Sequence, residues 1–420
     1  MGLINITALK EGMVLAEDVR DRNGRFLAAC ATALTGKHIR ILKMWGVVEA
    51  NIQGVTKEEV EQQLIEDIDS ATMEAAEKLT QDRFALNDID HPAVRELYRL
   101  CVERRAREIL RGEETAPVNG GNGAGRPEPA HRADAAPPGP AAFLNHEIKL
   151  PTLPGIFLRI NETITRPNSS AFDIANLISK DTSLSARLLK IVNSAFYGFP
   201  SKIDNLFRAV SIVGTNQLST LATGVSLIDA FRKIPSHYMD MKMFWRHSIV
   251  CGTVGRILAG YKNIQNTERL FVAGLFHDIG RLLLLQHAPE ISCELLRAAR
   301  QNGHVLYELE RERLGFDHAT IGGRLLEQWK LPFSLENVVT HHHDPLASRN
   351  PLEPSILNVA DIMTNVVAGG CSSQRLIPRL HEAVWKTINL SENTLPLIVK
   401  QADRQSDEIF GFFYGDKSKN

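Results

Sequence analysis

At 420 residues, with 44% hydrophobic and 23% charged residues, the chain has the composition of a folded protein of two or three domains. Lysine and arginine total 48 against 49 acidic residues, a net charge of -1 with histidine neutral, so no global basic field draws nucleic acid or an anionic membrane. Five scattered cysteines (Cys30, Cys101, Cys251, Cys293, Cys371) form no CxxC pair and read as reduced thiols of a cytoplasmic protein. The N-terminus lacks the basic and apolar segments of a signal peptide, and no apolar run nears the roughly 20 residues that span a bilayer. The expectation is a cytoplasmic protein without membrane insertion.

Residues 1–55 read as a small α+β module. Met13 to Ala16 is an apolar strand candidate, Asp21-Arg22-Asn23-Gly24 supplies turn chemistry, and Arg25-Phe26-Leu27 follows. Thr35 is placed to cap a short helix through His38, Ile39, Leu42 and Met44, and Val47 to Ile52 closes as a strand. Residues 56–112 read as helical. Thr56 to Glu59 is a capping box ahead of Val60, Leu64, Ile68, Ala75 and Leu79, and Asp90 is a candidate cap for a helix through Val94, Leu97, Cys101 and Ile109.

Residues 113–143 change character abruptly, with prolines and glycines and almost no large apolar side chain. Such a segment buries too little surface to offset its ordering entropy and is expected to be a disordered linker. Residues 144–370 then read as helix after helix, and 371–420 as a helical extension ending in a polar tail. The fold class is therefore mainly α.

Within the helical half, Ala273 to Leu284 reads as one helix that is apolar nearly all round, yet His277 and Asp278 stand in its middle. A buried carboxylate needs a partner or a metal. Adjacent residues on a helix point about 100° apart, so the two are expected to serve neighbouring positions, with Asp278 bridging two ions rather than sharing one with His277. Other ligand-type residues lie beside apolar helical segments: His247, His318, the run His341-His342-His343, and Asp361. Imidazole and carboxylate together suit Mn, Fe, Zn or Co, as one or two ions. Taken singly, each has an ordinary reading. His247 could be a satisfied core histidine, Asp317 a helix cap with His318 exposed beside it, and one of the three consecutive histidines merely solvated.

The order His, His-Asp, Asp resembles the HD superfamily of metal-dependent phosphohydrolases. Asn193-Ser194-Ala195-Phe196-Tyr197-Gly198, Ala209 to Gly214, Ala273 to Gly280, and Trp329-Lys330-Leu331-Pro332 followed by His342-His343-Asp344-Pro345 narrow the resemblance to the HDOD family, all-helical relatives of the HD-GYP phosphodiesterases. Gly12-Met13, Asn23-Gly24, Leu34-Thr35 and Gly46-Val47 resemble the small module that precedes HD-type signalling domains in bacteria. The resemblance implies an HD-like bundle, with His247, His277, Asp278 and Asp361 around one metal. His318, His342 and His343 would complete a second site. It further implies a bacterial signal-transduction protein acting as a regulatory output module on a signalling partner, without established catalysis. The alternative is a metal-dependent phosphohydrolase of cyclic mono- or dinucleotides, with Asp278 and Arg281 catalytic and a nucleotide second messenger as ligand. Two departures weigh against hydrolysis of cyclic di-GMP: Asp344-Pro345-Leu346-Ala347 stands where the Gly-Tyr-Pro loop would be, and Arg281 replaces the usual lysine.

Overall fold

The computed structural model describes residues 2–6, 9–20, 25–45, 47, 49–54, 68–110, 112, 155–166, 170–228, 231, 234–235, 238–367 and 375–414. The expected turn at Asp21 to Gly24, the capping box at Thr56 to Glu59 and the linker at 113–143 lie outside these residues. The chain forms two units, Met1–Thr115 with Leu390–Gln401, and Ala116–Asn389 with Ala402–Asn420.

The first unit begins with β1 (Gly2–Asn5), β2 (Val19–Arg20), β3 (Phe26–Ala28), α1 (Gly36–Met44) and β4 (Glu49–Ile52), followed by helices α2 (Ser70–Gln81) and α3 (Pro92–Leu110). Strands β1 and β4 pair antiparallel with Gly2 opposite Ile52, and β2 pairs with β3 through an irregular register at Val19 and Arg20. The expected strand at Met13 to Ala16 reduces to single bridges, Val14 to Ala33 and Leu15 to Ile52. Ile4, Ile6, Leu15, Leu34, Leu42 and Ile52 are buried together at the centre. Thr35 Oγ1 accepts from the His38 backbone N–H (3.3 Å), satisfying one of the four orphan donors at the start of α1. The start of α3 differs from expectation. His91 Nδ1 accepts from the Val94 N–H (3.4 Å), while Asp90 is engaged instead by Arg95 (3.7 Å).

The second unit has helices and no strand among its described residues. Its elements are α4 (Gly155–Thr165), α5 (Ala171–Ser179), α6 (Thr182–Val192), α7 (Leu206–Val213), α8 (Thr215–Ile228), α9 (Met241–Tyr261) and α10 (Thr267–Phe276). There follow α11 (Ile279–His287), α12 (Pro289–Asn302), α13 (Leu306–Leu314), α14 (His318–Gln328), α15 (Phe333–Thr340), α16 (Leu352–Val367) and α17 (Glu382–Ile388). Helix α18 (Leu395–Tyr414) is divided, its residues to Gln401 falling in the first unit and those from Ala402 in the second. Trp245, Phe157, Phe196, Phe271 and Phe276 are fully buried in this core. Asp181, Asn205, Asp240 and Asp317 each cap a helix by accepting a backbone N–H in its first turn. No described helix is long and apolar enough to cross a membrane.

Two close approaches set the centre of this bundle. A side chain on Gly274 would overlap the backbone of Gly252, so α9 and α10 meet there backbone to backbone. A side chain on Gly280 would overlap the His318 carbonyl, so the start of α11 is pressed against the start of α14. These two glycines bracket His277 and Asp278. Between them the expected single helix is broken: α10 ends at Phe276, Asp278 has φ -93° and ψ 4°, and α11 starts at Ile279.

Candidate metal centre

The break between α10 and α11 lets His277 and Asp278 face one place, contrary to the 100° separation expected of a continuous helix. His277 Nε2 lies 3.6 Å from Asp278 Oδ2. Helix α9 brings His247 beside them, with its Nε2 3.3 Å from His277 Nε2 and 3.9 Å from Asp278 Oδ2. Helix α16 supplies Asp361, whose Oδ1 is 3.1 Å from His247 Nε2 and 3.7 Å from His277 Nε2. Asn365, one turn further along α16, donates to the same Asp361 oxygen (3.1 Å).

On the other side, His318 at the start of α14 places Nε2 3.1 Å from Asp278 Oδ1 and 2.9 Å from His343 Nε2. The rings of His342 and His343 lie 3.8 Å apart, and His342 is 5.2 Å from His277, measured between ring centroids. Asp278 thus stands between two groups, its Oδ2 toward His247 and His277 and its Oδ1 toward His318. All seven residues singled out from the sequence converge here. All of these are buried except His343, which is partly buried. His341, the remaining histidine of the run, bonds the Asn337 carbonyl through Nδ1 (2.9 Å).

Hydrogen bonds around the cluster fix which nitrogen faces inward for His277, His318 and His342. A backbone carbonyl can only accept, so His277 Nδ1 donates to Gly274 (2.7 Å) and His342 Nδ1 to Val339 (2.7 Å). In the neutral rings both Nε2 atoms then present lone pairs to the cluster. His318 Nδ1 is bound in the same way by the Glu310 carboxylate (2.5 Å), which also accepts the His318 backbone N–H (2.9 Å). This arrangement, with the outer nitrogen donating to a carbonyl or carboxylate, is how metal-ligating histidines are oriented. The residues fit an ion on two further counts. Ligand nitrogens about 2.0–2.1 Å from one metal lie roughly 3.0–3.4 Å apart, close to the 2.9 and 3.3 Å between imidazoles here. The buried His342 Nε2 has no hydrogen-bond partner among the described residues.

Electrostatics favour ionised carboxylates at Asp278 and Asp361 and neutral imidazoles at His342 and His343. Burial raises the Asp278 pKa, but the Arg281 guanidinium and the His277 and His318 rings outweigh it and hold the carboxyl well below its ordinary value. Burial likewise opposes ionisation of Asp361, and hydrogen bonds from His247 and His277 reverse the balance. Burial, followed by the charges of His277 and His318, pushes His342 down to about 4, and His343 is lowered for similar reasons. Burial also depresses His318, but Glu310 and Asp278 more than compensate and lift it to about 10.

Three neighbours were not singled out from the sequence as parts of the site. Cys251 lies one turn along α9 from His247, and its buried thiol shares a potential ligand group with His277 and Asp361. Its four-residue spacing from His247 was the available signal. Glu310 sits in the charged run Glu308 to Arg313, which reads as a solvated face. Tyr307 stacks on His343 at 4.1 Å between centroids. Arg281, catalytic in the phosphohydrolase alternative, is buried against Asp278 and forms an ion pair with Oδ2.

Residues 150–345, which contain all of this centre except Asp361, match the HDOD domain family model. The chain carries an HDOD domain. A crystal structure of an HDOD domain protein with unknown function from Geobacter sulfurreducens superposes with a TM-score of 0.51 at 22% identity, covering 66% of this chain and 97% of that one. A candidate phosphohydrolase from Shewanella amazonensis SB2B gives 0.54 at 21%, covering 65% and 98%. A candidate signal transduction protein from Marinobacter aquaeolei VT8 gives 0.50 at 23%, covering 63% and 59%. At these identities the likeness establishes the helical HDOD fold. In sequence, an uncharacterized protein of Treponema pallidum (strain Nichols) is 28% identical over 215 residues, which is 50% of this chain and 41% of that protein. The chain thus matches less than half the length of that relative.

The other motifs shared with HDOD domains have structural roles here. Asn193 closes the loop to Ile203 with a pair of bonds, Nδ2 to the Ile203 carbonyl and the Ile203 N–H to Oδ1, both 2.7 Å. Tyr197 donates to Glu268 (3.0 Å), and Arg256 lies over the Phe196 ring at 3.8 Å.

Proposed function

We propose that the HDOD domain holds a divalent metal at the His247, His277, Asp278, His318, His342, His343 and Asp361 cluster and acts as a metal-dependent regulatory module on a signalling partner. The observation that supports this most is the inward presentation of Nε2 by His277, His318 and His342, on separate segments, each oriented by a bond at its outer nitrogen. Nitrogen and carboxylate ligands suit Mn, Fe, Zn or Co. The near-complete burial of the cluster favours a structural or sensory ion over an open active site. The name of the Marinobacter relative, a candidate signal transduction protein, agrees with this role.

The second reading is phosphohydrolysis, and the position of Asp278 between two ligand groups favours it. A bound ion would lower the pKa of its water and polarise phosphate oxygens. In that reading His247, His277, Asp361 and Asp278 would hold the ion on one side, and His318, His342, His343 and Asp278 on the other.

One preparation separates the readings. The full chain is purified, its metal content measured, and hydrolysis of a generic phosphodiester and of cyclic dinucleotides assayed with added Mn. Bound metal without turnover is the expected result. Turnover lost in Asp278→Ala would establish the phosphohydrolase, and a chain that takes up no metal would refute both.

A further inference from the structure

Arg281 sits inside the centre, against Asp278. Its guanidinium is paired with Asp278 Oδ2, the oxygen that faces His247 and His277, while Oδ1 remains directed at His318. Both members of the pair are buried, at 8% and 5% side-chain exposure, so solvent screens this charge little. The two ligand groups are therefore not equivalent. Both groups offer ligand atoms within 4.8 Å of one another, but the histidines of the second, His318, His342 and His343, meet Asp278 through Oδ1, whereas the ion pair of Arg281 is with Oδ2. The first depends on Asp278 through the oxygen that already carries a fixed positive charge.

We infer that Arg281 serves as a built-in cation in the His247, His277 and Asp361 half of the centre, and that the domain consequently takes a single ion, held by His318, His342 and His343 with Asp278 Oδ1. The inference rests on the metal-holding reading and adds to it a stoichiometry and a place. A divalent ion in that half would carry two charges at close range to the guanidinium, and a second ion is expected to bind at least about a thousandfold more weakly than the first. Arginine does this where an uncharged side chain would not. Its planar fork also matches the geometry of the carboxylate it pairs with. The assignment also bears on catalysis, because two-ion hydrolysis needs both halves filled.

The experiment uses the full chain, stripped with chelator and titrated with Mn²⁺ by calorimetry. Bound metal is then counted after gel filtration, and the electron paramagnetic resonance spectrum is recorded. Wild type is expected to bind one ion per chain and to give an uncoupled Mn²⁺ signal. R281M is expected to bind two, the second about a thousandfold tighter than any second event in wild type, with a spin-coupled spectrum. If R281M does not fold, R281Q keeps donor groups while removing the charge, and the same gain of one ion is expected. Two ions of similar affinity in wild type, or one ion in the folded variants, would overturn the inference and leave the metal-holding reading intact. No ion in wild type would overturn both.

Discussion

Gly280→Ala is the sharpest mechanical test of how the centre is assembled. An added methyl would overlap the His318 carbonyl oxygen and approach the Gly322 backbone nitrogen to 2.9 Å. Neither atom belongs to a side chain that can rotate away, so α11 and α14 must separate. Overpacking of this kind costs about 1–3 kcal/mol, occasionally more. For a domain of about 150–250 residues each kcal/mol lowers Tm by roughly 2–4 °C, so a fall of about 2–12 °C is expected. The same separation pulls Asp278 from His318, which lie 3.1 Å apart, and metal affinity should drop with the stability. Thermal unfolding with and without added ion measures both effects. Unchanged Tm and unchanged affinity would show that α11 and α14 do not meet as described and would refute the reasoning.

Glu310→Gln should weaken metal binding about 10–100-fold by calorimetry, because the carboxylate that orients His318 is lost; undiminished affinity would remove Glu310 from the support of the site. Removing the ion with chelator should lower Tm by an amount that grows with the concentration it was held at, since about 4 kcal/mol is lost at a ligand excess of 1,000 times Kd; a Tm indifferent to chelator would count against a bound ion. Alkaline stability should depend on Tyr197. Burial, then Glu268, raises its pKa above the ordinary 10, so the folded state keeps the proton longer than the unfolded state. Its contribution is complete below pH 10 and is lost as pH rises beyond it, at about 1.4 kcal/mol per unit. Tyr197→Phe should therefore show a shallower loss in denaturant titrations between pH 10 and 11, and equal slopes would contradict the burial described for this hydroxyl.

The centre was legible in the sequence because histidines and aspartates inside apolar helices stand out against what a core normally contains. His247, His277, Asp278, His318, His342, His343 and Asp361 could be gathered before any geometry was known. The break at His277 and Asp278 was not legible, because apolar residues continue through it without proline or a turn motif; Gly274 and Gly280 show their purpose only once Gly252 and His318 lie against them. Glu310 was hidden for the opposite reason. A carboxylate among Glu308, Arg311 and Arg313 carries no sign that it alone is buried. Arg281 was visible as a charge three residues after Asp278, a spacing at which side chains on a helix meet, though the sequence does not say which of its possible partners it takes.

Metal content measured by elemental analysis on the purified full chain, beside His342→Ala and Asp361→Ala, is the most direct test of a shared ion site. The account predicts tightly held metal in wild type and a clear loss in His342→Ala, with Asp361→Ala affected less because Arg281 already serves that half. An ion-free wild type that takes up none on titration, or full metal retention in His342→Ala, would contradict it.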